Sequence, residues 1–152
     1  MIKYIFILLP MLVGMGVIIQ TGANTQLRLH LGSPFLAALV SFATGTLFIF
    51  IVNLVVASDF KQFTWQNIQQ TSWWMWTGGT IGTIFIISAI VIAPKIGPTQ
   101  FFGLIIAAQL TFSVVVDHYG WLGFSQHSVN WQKIIGIILL FIGGYLIQSA
   151  RK

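Results

Sequence analysis

Gly16, Gln20 and Asn24 recur every fourth residue in the stretch GVIIQTGANTQLRLHLGSP, so they share one stripe if that stretch is helical. Gln109, Ser113 and Asp117 repeat the spacing further along the chain. Side chains of these types can hydrogen-bond a passing solute or tie neighbouring helices together. Bond-breaking chemistry would need a nucleophile within reach of a base, and the sequence offers no such pair. There is no cysteine, and His30, His118 and His127 lack the paired spacing of a zinc site. No glycine loop is built to cradle a phosphate. We therefore expect no enzyme activity, no catalytic residue, no metal and no cofactor.

The elements that must position these residues follow from composition. Hydrophobic residues make up 57% of the 152 and charged residues 6%, too few charges to cover a water-facing surface, so the expected solvent is a lipid bilayer. At about 20 apolar residues per helical crossing, the pattern predicts an all-α integral membrane protein with five transmembrane helices in a single domain. The spans are expected at about 4–29, 34–57, 73–93, 99–116 and 134–149. Gly32-Ser33-Pro34 separates the first two, and Pro94-Lys95-Ile96-Gly97-Pro98 predicts a tight turn in which Pro94 stops one helix and Pro98 starts the next. The polar stretch 58–72 and the stretch DHYGWLGFSQHSVNWQK are expected outside hydrocarbon. The first apolar run exceeds the 7–15 residues of a signal-peptide core, so it reads as a span.

In lipid an unpaired amide costs several kcal/mol, so the Gln20 and Asn24 stripe must face other helices or water. Either the amides cross-link helices, or they line a substrate path near the midplane. Gln109 lies in mid-span with the same two readings. Ser113 shares its stripe, and Asp117 is either a solvated helix-end residue or a candidate ion or proton site at the mouth of the path. Trp76, with Trp73 and Trp74, suits an interfacial aromatic belt or stacking on a flat or cationic substrate. Lys95 reads as a snorkelling anchor or an attractor of anions. Gly78 and Gly82 have small-residue spacing that permits close helix contact; Gly136, Gly143 and Gly144 make the last span a candidate dimer seam.

The net charge of +5 comes from seven basic residues spread between apolar runs, a pattern that forms no nucleic-acid-binding stripe and reads as loop anchors. Five crossings would put Lys3, Lys61 and Lys133 on one side and Arg28, Lys95, Arg151 and Lys152 on the other. That near-tie gives the positive-inside rule nothing to select. Insertion both ways round, and pairing of opposed copies, is the expectation. With no internal repeat in the chain, the inverted symmetry of many transporters would come from a second copy.

Three strings carry a resemblance: GVIIQTGANTQLRLHLGSPFLAALVSFATGTL, WWMWTGGTIGTIFIISAIVIAPKIGPTQFFGLIIAAQ and DHYGWLGF. In this order, over nearly the whole chain, they resemble the YdcZ-like branch of the drug/metabolite transporter superfamily, small proteins of the bacterial inner membrane. The resemblance implies a half-size, five-helix unit acting as a homodimer or with a sister chain. Four-helix multidrug exporters of the superfamily use a glutamate in the first span. Here that span has no acid, so their proton-coupled cation exchange does not carry over.

The combined expectation is a multi-pass inner-membrane secondary transporter. It would move a small organic molecule or drug-like metabolite by alternating access as an antiparallel, dual-topology homodimer. Gln20, Asn24, Gln109, Ser113 and Trp76 are the expected substrate-binding residues. Because the stripe carries amides, a neutral or weakly polar solute is expected. The alternative is a non-transporting membrane subunit or heteromeric partner of another membrane protein.

Overall fold

In a computed structural model that describes residues 2–57, 60 and 63–150, the chain is helical, with no strand among the described residues. Lys61, Arg151, Lys152, Asp59 and the side chain of Lys3 lie outside the described part, so that much of the charge comparison rests on sequence. The helices are α1 (Ile2–Leu31), α2 (Pro34–Val52), α3 (Trp65–Gln69), α4 (Gly78–Ile96), α5 (Pro98–Tyr119) and α6 (Trp131–Ser149). A π turn, Asn53–Ala57, prolongs α2, and a 3-10 turn, Trp73–Thr77, leads into α4. Among the described residues, five segments are long and apolar enough to cross a membrane: Tyr4–Leu31, Pro34–Val56, Trp73–Ile96, Pro98–Tyr119 and Trp131–Ser149. Helix is the form these runs must take in lipid, where the backbone has to satisfy its own donors and acceptors.

Short polar and glycine signals set the ends. Gly32, at φ 70°, leaves α1, and Ser33 Oγ accepts from Leu36 N at 3.3 Å to cap α2, with Pro34 in the first turn. Gly97, at φ 87°, separates α4 from α5, again with proline opening the new helix. Asn130 Oδ1 accepts from Lys133 N at 2.9 Å and caps α6.

One end differs from expectation. The helix does not stop at Pro94 but continues through it to Ile96, and Gly97 makes the turn. A proline near the end of a helix removes one ladder bond, here the one a backbone N–H at this position would give to Ile90 O, and the ring fits if that carbonyl finds another donor. It finds one in Arg28, as described below.

The chain divides into two compact units, Met1–Val91 and Ile92–Lys152. In the first, Ala37 and Ala38 of α2 meet Ile86 and Ile90 of α4 in a small apolar core, with Leu27 of α1 and Phe42 packed against it. The alanines keep the helices close. A methyl group placed on Gly82 would rest 3.5 Å from the Phe42 ring, in ordinary contact. In the second unit α5 packs on α6; Phe101, Phe102, Ala107 and Val116 are buried on α5, whereas α6 has no buried residue.

Candidate functional site

In the first unit, the face that α1 buries is polar. Thr21 and Asn24 are the buried polar residues there, 7% and 6% exposed, and Arg28 lies one turn further along, half-buried. Thr21 Oγ1 donates to its own helix, at Val17 O, 2.9 Å. Asn24 Nδ2 donates across to Ser41 Oγ on α2 at 3.2 Å. Asn24 lies seven residues before the end of α1 and Ser41 seven after the start of α2, each about 10 Å from the Gly32-Ser33 turn, so the bond fixes the hairpin's register. Arg28 Nη1 donates to Ile90 O on α4 at 3.0 Å.

That last bond answers the gap left by Pro94. Ile90 is fully buried, and an unsatisfied carbonyl in such a place costs about 1–3 kcal/mol. Arg28 therefore ties α1 to α4 through a backbone atom, and its guanidinium turns in toward the helices. Lys95, by contrast, is exposed, which suits the snorkelling role.

Gln20 is exposed. The i to i+4 stripe thus carries one amide turned to its own chain's helices, Asn24, and one presented outward. A methyl group on Gly16 would meet no described atom within 4 Å, so that end of the stripe is open too.

In the second unit, Gln109, Ser113 and Asp117 do come together. With Phe112, Leu122 and Phe124 they line a cavity of about 260 Å³ on one side of α5. Gln109 is exposed and sits midway between Pro98 and Tyr119. The Ser113 hydroxyl donates to Leu110 O at 2.9 Å, leaving its lone pairs available to a donor.

Asp117 is engaged at the helix end. Its carboxylate meets Lys133 Nζ at 3.3 Å, an ion pair about one-third exposed on each side. The loop after α5 folds back around it: His127 N donates to Asp117 O at 2.7 Å and Gln126 Nε2 to His118 O at 2.9 Å. Gly120, at φ 64°, lets the chain turn there, and a methyl group on it would press on Gln126 Cβ at 3.3 Å. Trp76 lies apart from both groups in sequence, exposed, with its indole N–H donating to Thr71 Oγ1 at 2.8 Å.

The order of these features along the chain is matched by one family sequence model, described as "Putative inner membrane exporter, YdcZ", over residues 5–146. The chain belongs to this family. The match takes in every candidate residue named above, and it agrees with the five membrane-length helices in making this YdcZ-family member a multi-pass protein of the inner membrane. No curated protein and no solved structure matches the chain.

Sequence reasoning overlooked Arg28, Thr21 and Ser41 as site residues in this YdcZ-family chain. The usable signal was Pro94, because a proline within a helix leaves the carbonyl four residues earlier in need of a donor, and Arg28 follows Thr21 and Asn24 at helical spacing.

Proposed function

We propose that the chain is half of a secondary transporter: a single transmembrane domain that pairs with an inverted second copy to move a small organic molecule or drug-like metabolite across the inner membrane by alternating access. The observation that carries this reading is Gln109. An exposed amide at the centre of a membrane-length helix needs a protein or water neighbour, and a cavity lined by Ser113 and Asp117 opens beside it. Gln20, exposed on α1, has the same need, and a second copy or an aqueous path meets both. The family description as an exporter supports the same direction of argument.

In this reading Gln20, Gln109 and Ser113 contact the solute and Asn24 holds the α1–α2 hairpin behind them. Trp76 offers a free ring face near the membrane boundary. Asp117 takes a coupling cation, which displaces Lys133 as it enters. Gly136, Gly143 and Gly144 of α6, where an added methyl group would meet no described atom within 4 Å, form the seam with the second copy.

Proteoliposomes assayed against a panel of small organic solutes should show saturable flux for at least one of them. Gln109→Ala should lower that flux about tenfold or more and leave the cross-linked dimer intact. A parent protein that carries none of the panel, with Gln109→Ala lowering only abundance or assembly, would favour a non-transporting subunit instead.

A further inference from the structure

Arg28 holds a charge that no carboxylate among the described residues balances. The chain has two acidic residues. Asp117 is paired with Lys133. Asp59 lies outside the described residues and follows, in sequence, the end of α2 opposite to the Gly32-Ser33 turn. Arg28 stands at the turn's own end of the hairpin, with Gly32 N donating to its backbone carbonyl, and its guanidinium has Ile90 O as its partner among the described residues.

A guanidinium does not shed its charge, and it carries five N–H donors in a planar fork suited to carboxylate and phosphate. One donor is spent on Ile90 O; the others are open to a ligand. The head group is also held, because the carbonyl it grips is orphaned by Pro94 and lies in a fully buried residue. A pre-oriented cation at the edge of the apolar zone is a recognition element for an oxyanion.

We propose that Arg28, held by Ile90 O, binds the carboxylate or phosphate group of an anionic or zwitterionic ligand. This differs from the expectation of a neutral or weakly polar solute drawn from the amides alone. The group can be borne by a dissolved solute or by a lipid headgroup. That the bound solute is also carried rests on the transport reading; the binding does not.

The test uses the full chain in nanodiscs of a neutral galactolipid, which carries no phosphate or carboxylate, and follows the melting temperature on adding millimolar inorganic phosphate or benzoate against chloride at equal ionic strength. Four proteins are compared: the parent, P94A, R28Q and R28Q/P94A. In the double variant the P94A change restores a backbone N–H for Ile90 O, so its stability without added anion should return toward the parent's and loss of folding is separated from loss of the site. The expected result is a rise of several degrees in the parent and in P94A on adding anion, and none in R28Q/P94A. Phosphatidylglycerol in the disc identifies the source: a rise in melting temperature that abolishes the response to benzoate and phosphate assigns the site to a lipid headgroup, and a persisting response assigns it to a dissolved anion. An equal anion response in R28Q/P94A, or no response of the parent to any of these anions, dissolved or lipid-borne, overturns the proposal and leaves Arg28 as a plug for Ile90 O. An intact anion response with no anion flux would remove the transport reading and keep the site.

Discussion

Asn24 and Gln109 are both amides within membrane-length helices, yet Asn24 is buried against Ser41 of the next helix and Gln109 is exposed beside a cavity. The first unit uses its polar groups to join helices: Asn24 joins α1 to α2, and Arg28 joins α1 to α4. The second unit keeps its polar groups at one helix end locked in an ion pair and leaves the mid-helix amide open. Residue type and spacing are nearly the same in the two places. What distinguishes them is whether a neighbouring helix supplies a partner, and on the proposed function this gives one group a scaffold role and the other the means to meet a solute.

Five substitutions test that contrast. The largest expected effect is functional: Gln109→Ala should cost about tenfold or more in flux, the equivalent of one lost hydrogen bond of ~1.4 kcal/mol. Its melting temperature should hardly move. Gly120→Ala tests the locked end of the same unit. The residue's left-handed backbone and the tight approach to Gln126 Cβ should together destabilise by about 1–2 kcal/mol, read as a lower melting temperature and faster proteolysis of the loop before Trp131.

Asn24→Ala addresses the scaffold. Loss of one interhelical bond in a membrane protein is worth about 0.6 kcal/mol on average and up to ~1.7, so a modest fall in melting temperature is expected, with any substrate affinity preserved. A loss of flux at unchanged stability would move Asn24 into the solute path. Asp117→Asn should have the smallest effect on stability, below about 1 kcal/mol, because the ion pair is partly exposed. Lys133→Met then separates the roles: if Asp117 takes a coupling cation, Asp117→Asn abolishes flux and Lys133→Met does not. Equal, slight losses in both would mean that the pair only pins the loop.

The apolar runs were legible because a bilayer leaves a chain so few ways to cross it, and helix starts at Pro34 and Pro98 were legible because proline fits the first turn. The end of α4 was not. Beside Pro94 the carbonyl of Ile90 takes its donor from Arg28, 62 residues away from Ile90 in sequence, and no local pattern carries that information. The polar face of α1 was legible in part. Spacing by four grouped Gln20 with Asn24, but a 3.6-residue repeat lets Asn24 align equally with Thr21 and Arg28, and the choice is made by where α2 and α4 pack. Gln109, Ser113 and Asp117 were grouped by spacing alone, since they share one helix and need no partner to share a face.

The central proposal is that this chain forms a transporter with a copy of itself inserted the other way up. It is tested most directly by paired reporters fused to the C-terminus, one active only in the cytoplasm and one only outside it. Both fusions should be active, at comparable levels, from the same chain expressed alone. Activity from one of them only would contradict the claim and require a parallel pair or a sister chain.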